Sequence, residues 1–147
     1  MQMQVLIFLY LLPSCYCWDL FQGYGIQSVG VRGKIFCNRK PTEKVAIKLY
    51  EQEILDDRWA EVGWVQPWPD GSFFIKGTFE EWSKIEPYLK VKHSCNLREG
   101  LPSSRWSKFC IYIPIKYVTT GKGPGVVEKY WEVKWDLSKT IEGQRKC

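Results

Sequence analysis

His93 is the single histidine of the chain, and it lies two residues before Cys95 in the stretch Glu86-Pro-Tyr-Leu-Lys-Val-Lys-His-Ser-Cys95. An imidazole beside a thiol is the pair that cysteine nucleophiles use, and histidine with cysteine is also a zinc donor set. The rest of the chain supports neither. Zinc wants about four ligands at short spacings such as C-x₂₋₄-C, and no such cluster occurs. The paired acids Asp56-Asp57 and Glu80-Glu81 read as loop or cap carboxylates rather than a general acid and base. His93 also shares its parity with Leu89, Val91 and Cys95, so it points inward or sits at a rim as a hydrogen-bonded structural residue. No catalytic residue, metal or cofactor is expected.

The second group with chemistry to offer is aromatic. VGWVQPWPDG carries Trp64 and Trp68 to a proline-flanked turn, and TFEEWSK sets Trp82 beside Lys84. A loop tryptophan offers a large apolar body with one donor, which suits a protein interface or a lipid headgroup layer. Trp64, Trp68, Trp82 and Lys84 are therefore the candidate partner-binding residues. The competing expectation is that these rings cap the open end of a β-sandwich.

The elements that would position these groups are short alternating runs. SVGVRGKIFCN sets Val29, Val31, Ile35 and Cys37 on one parity, and KVAIKLYE turns Val45, Ile47 and Leu49 inward with Lys48 and Tyr50 outward. RWAEVGWV, SFFIKG, PYLKVKHSC, WSKFCIYIPI and VVEKYWEVKWDL follow, with Trp131, Val133 and Trp135 on an apolar face. Pro69-Asp70-Gly71 supplies a turn, Thr119 to Gly125 reads as a loop, and FEEWSKIE leaves room for one or two helical turns. Pro114 inside a strand pattern marks an edge or a bulge. About seven strands without a long helical period indicate an all-β sandwich of immunoglobulin-like type in one domain.

The start of the chain, MQMQVLIFLYLLPSCYC, is uncharged, and its apolar run Val5 to Leu12 is far shorter than the roughly 20 residues of a membrane span. It reads as a signal peptide over residues 1–17, followed by an N-terminal extension over 18–27 and a sandwich domain over 28–147. Secretion is the expected localisation, with no transmembrane segment. Removing residues 1–17 leaves Cys37, Cys95, Cys110 and Cys147, which implies two disulfides with three pairings open. An oxidising compartment and an even count also oppose a free thiolate at Cys95. The net charge of +5 suits an acidic surface, but without a Lys/Arg run or motif it does not point to nucleic acid.

Several motifs in order also resemble one family. Gly33-Lys-Ile-Phe-Cys37, Lys40-Pro41, Val45-Ala-Ile-Lys-Leu-Tyr50, Glu86 through Cys95, Ile113-Pro114 through Gly121 and Arg145-Lys-Cys147 are similar to successive blocks of the nematode transthyretin-like family. The resemblance spans roughly Ser28 to Cys147. It implies a secreted transthyretin-type (prealbumin-like) β-sandwich with two disulfides. A hairpin joining the strands that carry Cys95 and Cys110 would bring those two together, leaving Cys37 for Cys147, and the resemblance points to the same pairing. The opposite parity of Cys110 to Ile111, Ile113 and Ile115 then demands a bend or bulge, or a bond that sits beyond the regular pairing. The fold also hosts hydroxyisourate hydrolases, but their pattern of several histidines and a Tyr-Arg-Gly-Ser ending is missing here. The expected function is a non-enzymatic extracellular binding or signalling module for a cell-surface, protein or acidic-lipid partner. The alternative is a carrier of a small apolar ligand or lipid, in the sandwich or between the subunits of a homo-oligomer.

Overall fold

The computed structural model describes residues 25–52 and 59–147. The expected signal peptide and most of the 18–27 extension lie outside the described residues. Strand β1 spans Gly25–Cys37, so the last three residues of that extension belong to the first strand. The order continues with β2 (Lys40–Pro41), β3 (Val45–Gln52), β4 (Trp59–Val65), β5 (Ser72–Glu81), β6 (Pro87–His93), β7 (Ser107–Tyr112), β8 (Val118–Thr120) and β9 (Trp131–Asp136).

Two sheets result. One is five-stranded and centred on the long β1, which pairs antiparallel with β2, β5 and β8 and parallel with β9. The other is four-stranded in the order β4-β3-β6-β7, antiparallel throughout. Alternation explains how they pack. Val29, Val31 and Ile35 of β1 and Phe73, Ile75 and Phe79 of β5 are buried, as are Ile47 and Leu49 of β3 and Leu89 and Val91 of β6. These apolar faces form one core, and Phe109 of β7 meets Trp135 of β9 edge-on at 6.3 Å. Trp135 and Val133 are buried and Trp131 packs against the same core, as the parity of the last strand required.

Local chemistry sets the corners. Asn38 and Arg39 both take positive φ, the conformation of a two-residue hairpin turn between β1 and β2. The Asp136 carboxylate accepts from the Asn38 and Arg39 amides at 3.1 and 2.8 Å and so fixes that turn. The Asp70 turn forms as expected, with the Gly71 amide donating to Trp68 O at 2.7 Å and Gly71 at φ 77°.

Three local expectations give way. The helical turns at FEEWSKIE do not form: Phe79 continues the inward alternation of β5 opposite Gln27, so residues 79–81 remain strand. The 119–125 segment is not all loop, because Val118–Thr120 pairs with the early part of β1 as β8. Pro114 does mark an edge, because β7 is the last strand of its sheet, but it lies just past β7 at the start of a 3₁₀ turn over Ile115–Tyr117 rather than inside the strand.

The disulfide pairing is the main correction. Cys37 is bonded to Cys95 and Cys110 to Cys147. Register explains why the hairpin argument fails. In the β6–β7 pair, Lys90 faces Cys110 and His93 faces Ser107, so continuing the same register puts Cys95 level with Arg105. Cys95 and Cys110 are thus offset by five residues, about 17 Å along a strand, whereas a disulfide needs Cα atoms within about 7 Å. No bulge is present at Cys110. Its side chain points to the outer face of the sheet, where Cys147 meets it with a Cα–Cα distance of 5.1 Å. The other bond ties the end of β1 to the residues after β6 and so joins one sheet to the other.

Candidate functional site on the outer face of the four-stranded sheet

His93 does not form a reactive site. It is 9% exposed at the end of β6, its ring stands edge-on to Phe109 at 6.2 Å, and the neighbouring Cys95 is oxidised. The expected hydrogen bond is missing at one nitrogen, since the buried Nδ1 has no partner among the described residues. Burial pushes the imidazole below its ordinary pKa and keeps it neutral. Among the described residues, no group of three or more His, Cys, Asp or Glu side chains could hold a metal ion.

The partner-binding candidates do not form one patch. Trp68 and Trp82 are exposed, at 57% and 78%. They stand beyond opposite ends of the ten-residue β5, however, about 30 Å apart at the strand rise. Trp64 occupies the β4 position opposite Lys48, and its side chain lies outside the described residues. Lys84 lines a surface depression of about 550 Å³ together with Ile115, Tyr112 and Arg145.

That depression leads to a site the sequence reading missed. The strands that turn Leu49, Leu89 and Ile111 into the core turn the intervening residues to solvent. Register then lines up what alternation only exposes. Tyr50 faces Tyr88, and Tyr88 faces Tyr112. Their rings form a row across three strands, with centroids 5.2 and 5.6 Å apart. Tyr88, flanked on both sides, is almost fully covered, and burial pushes its phenol well above the ordinary tyrosine pKa with its two ring neighbours adding to the shift. The Tyr112 hydroxyl donates to Gln52 Oε1 at 3.2 Å, which fixes one end of the row.

Beside the tyrosines lie rows of cations. Lys48 faces Lys90, and Lys92 faces Lys108. Like charges directly opposed across strands repel, as at Lys92 and Lys108. The segment after β9 adds two more. Cys110 and Arg145 exchange backbone hydrogen bonds, with the Cys110 amide donating to Arg145 O at 2.9 Å and the Arg145 amide to Cys110 O at 2.7 Å. This contact and the Cys110–Cys147 bond seat the Arg145 guanidinium over the Tyr112 ring at 5.1 Å, and the Lys90 ammonium lies 5.8 Å from the Tyr50 ring centre. A groove of about 420 Å³ opens between the tyrosine row and this segment. Among the described residues its walls carry the cations Lys90, Arg145 and Lys146 and no Asp or Glu side chain. The arrangement can bind a negatively charged group against an aromatic floor.

Comparison with known proteins agrees with the fold. The profile of the transthyretin-like family matches residues 32–114. The chain belongs to the transthyretin-like family. Relatives in Caenorhabditis elegans carry the same name: transthyretin-like protein 5 is 39% identical over 97 residues, 65% of this chain and 67% of that protein. Transthyretin-like protein 1 is 31% identical over 130 residues, 83% and 80% of the two chains. Transthyretin-like protein 46 is 29% identical over 103 residues, and the match spans about half of its length, 52%. Among solved structures, a 9R-lipoxygenase from Cyanothece PCC8801 matches 71% of this chain and 15% of that one at 14% identity and a TM-score of 0.34, a likeness too loose to carry any argument. For this transthyretin-like chain, the signal that would have found the face was the outward parity of Lys48, Tyr50, Tyr88, Lys90 and Lys92, which acquires meaning only once three strands are in register.

Proposed function

We propose that this transthyretin-like chain is a secreted, non-catalytic binding module that recognises an acidic partner at a cell surface through the outer face of its four-stranded sheet. One observation carries the reading: a tyrosine row bordered by lysines on neighbouring strands and by a disulfide-held arginine. The net charge of +5 favours the approach of such a partner. A carrier with its ligand inside the sandwich is less well supported, because side chains from both sheets fill the space between them.

The test is binding of labelled, oxidised protein to intact cells and to anionic vesicles, as salt is raised. Binding that weakens with salt and is lost in Lys90→Glu/Lys92→Glu/Lys108→Glu supports the face. Loss in Trp64→Ala or Trp82→Ala with the lysine variant unaffected moves recognition to the loops and rejects this reading. Lipid co-purifying with the protein at a fixed stoichiometry restores the carrier.

A further inference from the structure

The depression that Lys84 lines lies at the end of the sandwich where β1 begins. β1 starts at Gly25, opposite Glu81, the last residue of β5. The chain after β5 is tied to that start. The Gln27 side-chain amide donates to Ser83 O at 2.6 Å, and Gln27 Oε1 accepts from the Ile85 amide at 3.2 Å. Ile85, Pro87, Ile113 and Ile115 are the apolar lining of this depression of about 550 Å³. Its charged residues, all exposed, are Lys84, Glu86 and Arg145. Among the described residues, Trp82 and Ile115 are two of the most exposed large apolar side chains, at 78% and 54%, and both stand at this end. Single exposed apolar residues are ordinary, but here they accompany a concave apolar surface.

The sequence that leads into Gly25 matches this surface. Residues 18–24, WDLFQGY, lie outside the described residues and carry Trp18, Leu20, Phe21 and Tyr24. Seven residues reach at most about 24 Å when extended. Ile85 is hydrogen-bonded to Gln27, only two positions after Gly25, so the depression is within that reach. The single charge of the segment, Asp19, is opposite in sign to Arg145. Attachment also gives the segment an effective concentration on the order of millimolar at the depression, an advantage that a free partner of the same composition lacks. We propose that residues 18–24 dock in this depression, their apolar side chains on Ile85, Ile113 and Ile115 and Asp19 paired with Arg145. The inference is independent of what the outer face of the four-stranded sheet recognises.

The test uses the oxidised chain made in a secretory host, with its first residue read by mass spectrometry. Methyl-labelled protein should show nuclear Overhauser contacts from the isoleucine methyls of the depression to the rings of Trp18 or Phe21, and Phe21→Asp should remove them. Phe21→Asp should lower the unfolding temperature by roughly 4 °C, and Ile115→Asp by a similar amount. The two together should cost little more than either alone, because both break one contact. Phe21→Asp combined with Trp68→Asp, beyond the far end of β5, should give the plain sum. Absence of those contacts, simple additivity of Phe21→Asp and Ile115→Asp, or a secreted chain that begins after Phe21 overturns the inference. Contacts that arise only between differently labelled copies in a mixed sample give the depression to a second copy and overturn it as well.

Discussion

Replacing Cys110 and Cys147 together by alanine tests the pairing and the way the segment after β9 is held. The bond closes a loop of 37 residues. In the chain-entropy description, losing it frees the unfolded chain by about 3.8 kcal/mol, against about 4.2 kcal/mol for the 58-residue loop of Cys37–Cys95. Cα geometry at Cys110–Cys147 is within the ordinary range, and the bond reinforces the backbone contact between Cys110 and Arg145. The double variant should unfold at a lower temperature by roughly 10–20 °C. Thermal unfolding followed by far-UV circular dichroism measures this. A tryptic digest without reductant settles the connectivity. Cleavage after lysine and arginine releases Ile35–Arg39, His93–Arg98 and Phe109–Lys116 as the peptides carrying the first three of these cysteines. Ile35–Arg39 should be joined to His93–Arg98, and Phe109–Lys116 should carry the fragment containing Cys147. Recovery of His93–Arg98 joined to Phe109–Lys116 would refute the register argument, and an unchanged unfolding temperature would refute the energetic one.

Two further outcomes follow from the core and the sheet. His93 is held neutral by burial, so its folded pKa lies below the unfolded value near 6.5, and the unfolded state takes up a proton first as pH falls. Stability from this group is complete above about pH 6.5 and declines below it, by at most about 1.4 kcal/mol per pH unit. Urea unfolding at pH 7 and pH 5 should show that decline in the native chain and a smaller one in His93→Leu. Gly33 crosses β9 so closely that a β-carbon there would stand 1.9 Å from Val133 O. Gly33→Ala should therefore cost roughly 2–4 kcal/mol by pushing β1 and β9 apart, whereas Gly63→Ala, where nothing lies within 4 Å, should unfold at nearly the native urea concentration.

Alternation made most of the fold legible. The inward sets Val45-Ile47-Leu49 and Leu89-Val91 are apolar in strict period, and both strands fall where that period runs. The short β8 was not legible, because Val118–Thr120 is held by its pairing with β1 rather than by a pattern of its own. The end of β5 was misread for a related reason: Glu80, Glu81 and Trp82 resemble a helix start, but ten consecutive pairings with β1 hold Ser72–Glu81 extended. Pairing of the cysteines depends on register as well as strand order, and the parity mismatch at Cys110 was the one local sign that its bond lay on the outer face. The candidate site follows the same logic. Tyr50, Tyr88 and Tyr112 are 62 residues apart from first to last, and nothing short of the β3–β6–β7 register brings them into one row. The loop tryptophans drew attention because exposure can be read locally, while a surface assembled across strands cannot.

The contact between Cys110 and Arg145 has a consequence for the solubility of the chain. β7 is the last strand of its sheet, and an edge strand offers unpaired amides and carbonyls to any other extended chain. Its stretch Phe109-Cys-Ile-Tyr-Ile113 is uncharged and rich in residues that favour strands, the composition that joins cross-β assemblies when left open. Arg145 occupies the outward amide and carbonyl of Cys110, the second residue of that stretch, and the bond to Cys147 holds it there. The staple thus acts as a gatekeeper against self-association, and in a reducing environment the first hazard to the protein is strand addition at β7 by other copies of itself.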